Sequence, residues 1–233
     1  MTAPATRRRV PGLRRLLILV LVLIVAGGVF AVAYFTPLMS ARNVSVTGAA
    51  HVPTEDVEKV VAPLKGTPLL QISNGRTQQY AAAVVGVSPW IDTATITVSY
   101  PSTLVVEVTE RDAVAYADRS GVTLIDAKGV PFIKVGEPPI LTPKLTVENP
   151  GADDPDTKAA ISVLQSLPQD IRGQVVEIGA DSPANVRFVL RDKRVVYWGD
   201  ASRADAKAAA LKVVLTRPGR EFTVIDPDVP TTR

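Results

Sequence analysis

Cysteine is absent from the sequence. That excludes a disulfide framework, a thiolate metal site and a sortase-like thiol nucleophile. Aromatic residues make up only 5% of the 233 positions, too thinly spread for a stacking array that would hold nucleic acid or glycans. There is a single histidine, His51, and no Ser/His/Asp arrangement can be built around it. No serine begins an S-x-x-K sequence, and H-E-x-x-H, G-x-x-x-x-G-K and G-x-G-x-x-G do not occur. Neither an enzyme nor a cofactor-binding protein announces itself.

Acids are missing from the first fifteen positions, which hold Arg7, Arg8, Arg9, Arg14 and Arg15. Behind them, Leu16 to Phe35 is a run of twenty residues without a charge. At about 1.5 Å per residue such a helix measures about 30 Å, the thickness of a bilayer's hydrocarbon core. The arginine cluster should stay cytoplasmic by the positive-inside rule. A basic cytoplasmic tail is therefore expected over residues 1–15 and a transmembrane helix over 16–36, with the rest displayed outside. The arginines also explain the pI of 9.2. Without them, 21 basic residues face 23 acidic ones, so the basicity is no nucleic-acid signature. A cleaved signal peptide is the rival reading, because Ala31-Val32-Ala33 fits an A-x-A site. The apolar run, however, exceeds the usual length of about 7–15 residues.

The external chain reads first as β-α-α-β-β. Val44 to Gly48 alternates as a strand. Thr54 is the expected N-cap of a helix with Val57, Val60, Val61 and Leu64 inward, and Asn74 that of a second with Tyr80, Ala81, Val84 and Val85 inward. Strands follow over Ile91–Val98 and Thr103–Thr109. Beyond Glu110, Val114–Ala117, Val122–Ile125 and Val130–Ile133 form an antiparallel meander with turns at Asp118–Gly121 and Asp126–Gly129. Gly136 to Pro155 holds five prolines and reads as a loop. A helix over Asp156–Leu167, strands at Val175–Ile178, Val186–Leu190 and Val195–Trp198, a helix over Ala201–Leu215 capped by Asp200, and a last strand at Phe222–Ile225 complete the chain. The end, Asp226–Arg233, reads as a mobile tail.

Residues that could carry chemistry have plainer explanations. His51 sits in a loop as a solvated turn residue. Asp153, Asp154 and Asp156 suit a helix N-terminus. Glu110-Arg111-Asp112 is a charged strand end, and Trp90 and Trp198 are boundary or core residues. A membrane-tethered, nearly neutral module of this kind works best by binding protein.

The β-α-α-β-β segment resembles a POTRA domain, and the whole chain resembles the FtsQ/DivIB family of bacterial cell-division proteins. The resemblance rests on Val44-Ser45-Val46-Thr47-Gly48 and on Gly66-Thr67-Pro68-Leu69-Leu70. It rests further on the stretch from Tyr100-Pro101-Ser102-Thr103-Leu104 to Glu110-Arg111, and on Leu124-Ile125-Asp126-Ala127-Lys128-Gly129-Val130. Composition looks actinobacterial. The resemblance implies an α+β protein with one N-terminal transmembrane helix, a POTRA domain over 41–110, a mainly antiparallel β domain with flanking helices over 111–226, and a flexible tail over 227–233. It implies a non-enzymatic, single-pass type II protein of the plasma membrane at the division septum, without cofactor, metal, nucleic acid or small-molecule substrate. Its partners would be FtsB-like and FtsL-like single-span proteins, and through them the septal peptidoglycan synthases. A POTRA-type chaperone module for export across the envelope is the alternative.

Carried over by position, the partner would add a strand to an edge formed by Phe222, Thr223, Val224, Ile225 and Asp226, backed by the helix that contains Ala201 and Ala208. The last strand of any sheet is an edge, so the position alone does not make a site. Here Pro227 and Asp228 stand where the family continues with leucine and arginine. Pro227 should stop or redirect pairing, and Asp228 reverses a charge.

A retained anchor predicts that the membrane-bound protein keeps its arginine-rich N-terminus. Intact mass of the purified chain checks this, and a mature form beginning at Tyr34 would establish cleavage.

Overall fold

The computed structural model describes residues 11–35 and 39–233. Arg7, Arg8 and Arg9 lie outside them. Helix α1, Pro11–Phe35, opens on a proline, which suits a first turn where no N–H partner is needed. Within it, Arg14–Val32 is long and apolar enough to cross a membrane, and none of it is buried in protein. Its large apolar side chains are 44% to 66% exposed, which is consistent with a membrane anchor. Arg14 and Arg15 head that stretch. The chain divides into a first compact unit ending at Glu110 and a second, Arg111–Arg233.

In the first unit, β1 (Asn43–Thr47), β2 (Ile91–Ser99) and β3 (Thr103–Glu110) form a sheet in the order β1-β3-β2. β1 runs parallel to β3 and β2 antiparallel to it. Alternation decides the faces: Leu104, Val106 and Val108 of β3 point inward, where Val106 and Val108 meet Val57 and Val61 of α2 (Thr54–Val61) and Val84 of α3 (Asn74–Val85). Both helix starts differ from expectation. Thr54 is the first helical residue, with Pro53 at the N-cap and Glu55 and Asp56 facing the helix dipole. Ser73, not Asn74, caps α3 and accepts from the Arg76 N–H at 3.4 Å. Gly48 leaves β1 at a φ of 83°, and a Cβ there would lie 2.0 Å from the Val108 carbonyl oxygen, so only glycine fits.

The second unit is a nine-stranded sheet in the order β12 (Thr231–Thr232), β11 (Glu221–Thr223), then β10-β9-β8-β7-β4-β5-β6. β4 (Ala113–Asp118), β5 (Val122–Asp126) and β6 (Pro131–Val135) form the expected meander. Correcting the expectation, the proline-rich stretch is not all loop: Lys144–Thr146 forms strand β7. It pairs in parallel with β4 on one side and β8 (Val175–Ala180) on the other. β8, β9 (Val186–Leu190) and β10 (Val195–Gly199) then run antiparallel. Helix α4 (Pro155–Ser166) covers β8 and β9 through Ala160, Ile161 and Leu164, and is capped by Asp154, whose carboxylate accepts from the Thr157 N–H at 2.7 Å. A four-residue helix α5, Gln169–Arg172, went unpredicted. Trp198 and Phe188 meet at 6.1 Å between ring centres in the core of this unit.

The approach of β7 to β8 tolerates nothing larger than glycine at position 179. A Cβ on Gly179 would stand 2.6 Å from the Thr146 carbonyl oxygen. Gly179→Ala should therefore cost about 1–3 kcal/mol, the range for overpacking. Thermal unfolding of the full chain in detergent measures this, and an unchanged midpoint would show that the two strands separate freely.

Candidate partner-binding edge

The residues expected at the edge do not share one environment. β11 is Glu221–Thr223 and pairs in parallel with β10, Phe222 opposite Val196 and Thr223 opposite Tyr197. The Val224 N–H continues the ladder by donating to the Tyr197 carbonyl at 3.0 Å. Phe222 and Val224 are fully buried in the core, and the Arg194 guanidinium lies 5.6 Å from the Phe222 ring centre. Ile225 and Asp226 are exposed.

β11 is not the last strand. Thr231–Thr232 forms β12, antiparallel to β11, with Phe222 opposite Thr232 and Thr223 opposite Thr231. The Arg233 N–H donates to the Glu221 carbonyl at 2.8 Å and the Glu221 N–H returns to the Arg233 carbonyl at 3.0 Å. Residues 227–233, expected to be a flexible tail, thus fold back onto the sheet. The cause lies in the turn. Pro227 cannot donate to a ladder, the Asp226 carboxylate accepts from the Asp228 N–H at 3.1 Å, and the Asp226 carbonyl accepts from the Val229 N–H at 3.3 Å. Two β-branched threonines then suit a strand. An Asp-Pro-Asp turn followed by Thr-Thr was the signal available in the sequence.

The pairing decides which groups face outward. Glu221 and Arg233 exchange both hydrogen bonds, so the next pair, Phe222 and Thr232, is of the non-bonded type. Thr232 therefore directs its N–H and carbonyl away from β11. Pro230 before it offers a carbonyl but no N–H. On the solvent face, Tyr197, Glu221, Thr223, Thr231 and Arg233 line a shallow depression.

The helix behind this region also starts elsewhere than expected. α6 spans Ala204–Val214, with Arg203 at its N-cap in the left-handed conformation at φ 51°. Ala201 precedes it and is exposed, while Ala208 is buried in the core and out of a partner's reach. Asp200 does not cap the helix. Its carboxylate accepts from Lys207 Nζ at 2.7 Å and from the Ser202 hydroxyl at 2.7 Å. The Lys207 ammonium is itself buried and also donates to the Asp200 carbonyl at 2.9 Å. These bonds to Lys207 and Ser202 hold the Asp200 carboxyl down at about 2. Arg203 reaches the turn: its Nη2 donates to Asp228 at 2.8 Å and its Nη1 lies 3.7 Å from Asp226. The charge that departs from the family pattern is thus used within the chain.

The other candidate residues are structural. His51 stacks on Trp90 with 4.1 Å between ring centres, and its Nδ1 lies 2.7 Å from Glu110. Burial would push the Glu110 carboxyl up. The His51 side chain and the backbone N–H groups of His51, Ala50 and Val52 outweigh it and hold the carboxyl below its ordinary value. Among the described residues no group of three or more His, Cys, Asp or Glu is placed to hold a metal ion.

Comparison with known proteins gives the same two halves. The family model described as "POTRA domain, FtsQ-type" matches residues 39–111, and that of "Cell division protein FtsQ/DivIB, C-terminal" matches 113–227. β12 lies beyond both. The chain is 40% identical to a Mycolicibacterium smegmatis protein named Cell division protein FtsQ, over 100% of this chain and 68% of that one. It is 41% identical to a Mycobacterium tuberculosis protein of the same name, over 99% and 72%, respectively. A Corynebacterium glutamicum protein, again of that name, is 29% identical over 92% and 95%.

The depressed Asp200 carboxyl has a consequence for acid stability. Its folded value of about 2 lies below the ordinary 3.8, so its stabilising contribution is present above about pH 4 and fades as pH falls towards 2. Thermal midpoints between pH 5 and 2.5 should fall more steeply for the wild type than for Asp200→Asn. Parallel curves would assign the acid sensitivity to other groups.

Proposed function

The chain belongs to the FtsQ/DivIB family of bacterial cell-division proteins, and from that premise we propose that it is a non-enzymatic scaffold whose β12 edge receives an added strand from a partner. The partners are FtsB-like and FtsL-like single-span proteins, and through them the scaffold helps control septal peptidoglycan synthesis. α1 crosses the plasma membrane with the arginines on the cytoplasmic side, so both folded units stand outside at the septum. The anchor confines them to the layer where the partners' own membrane-proximal segments lie and raises the effective concentration of each for the other.

A single observation carries this reading: among the described residues β12 is the terminal strand of the sheet, and the Thr232 N–H and carbonyl face outward with no partner strand. At the turn that leads into β12, Val229 is 68% exposed, an aliphatic side chain within reach of an incoming strand, whereas the exposed Ile225 leans back on Gly199 of β10. The edge expected at Phe222–Asp226 thereby moves outward by one strand. Phe222 and Val224 support it from the core, and Ile225 and Asp226 flank it.

The test is copurification of the tagged full-length protein with its membrane partners. Thr232→Pro removes the one outward N–H of the edge and should reduce partner recovery at least tenfold while leaving the thermal midpoint unchanged. Undiminished recovery would place the partner elsewhere. Val224→Pro is the wrong probe, because that N–H is spent on Tyr197 inside the sheet. Depletion of the protein should give filamentous or branched cells, and normal division would refute the role.

A further inference from the structure

The two ends of the β12 edge carry opposite charge. At one end the N-termini of β10 and β11 meet the C-termini of β9 and β12 and the end of α6. Two backbone bonds and one side-chain bond fix this meeting: Val195 N–H to the Arg220 carbonyl at 2.8 Å, Arg220 N–H to the Arg233 carbonyl at 2.8 Å, and Arg194 Nη1 to the Leu215 carbonyl at 2.9 Å. They gather the exposed side chains of Lys193, Arg217, Arg220 and Arg233. Asp192 is already paired to Arg194 at 2.6 Å. Among the described residues none of Arg217, Arg220 and Arg233 has a carboxylate within ion-pairing distance, although Glu221 stands beside them in sequence.

The opposite end is acidic. Asp200, Asp205, Asp226 and Asp228 gather where β10 and β11 finish and α6 begins, against Arg203 and Lys207. The two cations nearest the turn are committed, Arg203 to Asp226 and Asp228 and Lys207 to Asp200, and the exposed Arg187 stands two strands further in, on β9 opposite Tyr197. The external chain as a whole is nearly neutral, so this separation along one strand is local and directional. Free arginines at a surface of mixed charge raise encounter rates and suppress wrongly oriented partners.

Resting on the edge assignment above, we propose that the charge gradient along β12 sets the direction and the chemistry of the incoming strand. The partner segment carries carboxylates at the end that lies against Arg217, Arg220 and Arg233, and its neutral or basic end lies over the Asp226–Asp228 turn. An extended segment with the reverse charge order would place its acids against aspartates and be rejected. The backbone edge admits either direction, so the direction comes from side-chain charge.

The test uses the full-length chain in detergent and the partner that copurifies with it. The charge-reversed variant Arg217→Glu/Arg220→Glu/Arg233→Glu should lose partner recovery at least tenfold at low salt. The wild-type complex should weaken as salt rises, and the variant's residual binding should not. The neutral variant Arg217→Gln/Arg220→Gln/Arg233→Gln should fall between the two, and its thermal midpoint reports whether the fold survives. Exchange of the partner's acids for lysine should restore binding to the charge-reversed chain. If reversal leaves recovery and salt dependence unchanged while Thr232→Pro abolishes binding, the edge stands and the proposed polarity is overturned. If Thr232→Pro is harmless as well, the edge itself fails, and the polarity with it.

Discussion

Three residues hold the second unit together as one sheet. Among the described residues β7, Lys144–Thr146, is the one link in the strand order between the meander β4–β6 and the strands β8–β12. Its bond to β4 is narrow, a register contact at Tyr116 and Lys144 and the Tyr116 N–H donating to the Pro143 carbonyl at 3.0 Å. On the other side it lies against Gly179 closely enough to exclude a methyl group. Leu145 sits in the core with Ile178 and Phe188, so burial holds what the short ladder alone would not. The position of β12, five strands further along, follows from this seam.

Charge marks where the two units are joined in sequence. Glu110 and Arg111 are neighbours, yet each is committed to its own side. The Glu110 carboxylate accepts from the Ala50 and His51 N–H groups at 2.8 Å and from the Val52 N–H at 3.1 Å. Arg111 pairs with the buried Asp126, which also accepts from the Lys128 and Val130 N–H groups at 2.9 Å. Arg111 of the Glu-Arg pair and Asp126 of the Leu-Ile-Asp-Ala-Lys-Gly-Val hairpin, two separate sequence patterns, are thus halves of one ion pair. A charge buried as deeply as Asp126 must be fully satisfied, because removal of either partner would strand the other.

Most of the regular structure was legible because periodicity records burial. Leu104, Val106 and Val108 alternate, and Ala160, Ile161, Leu164 and Leu167 recur at helical spacing. The first units to escape were those too short to show a period. β7 hides among prolines in three residues and β12 has two, so neither offers a second turn of the pattern. The start of α6 was misplaced for a different reason. Asp200 looks like a cap, but its carboxylate is drawn to the buried Lys207, a long-range choice invisible to local spacing. The last stretch of the sheet shows both effects. Phe222 and Thr223 form a strand as expected, and nothing in their spacing reveals that Thr231 and Thr232 return to lie beside them.

The brevity of β12 limits how long any strand added to it stays in place. Between Pro230 and Arg233 the edge offers one N–H and two carbonyls, so a ladder gains two or three hydrogen bonds. At about 1 kcal/mol net for each, they fall well short of the about 8 kcal/mol that micromolar association needs. Val229 and the flanking charges must supply the difference, and most of that is surface energy that water can reclaim. Such a joint specifies register well and lifetime poorly. A strand held this way would exchange readily, and the proposed assembly would come apart without a protease or an unfoldase.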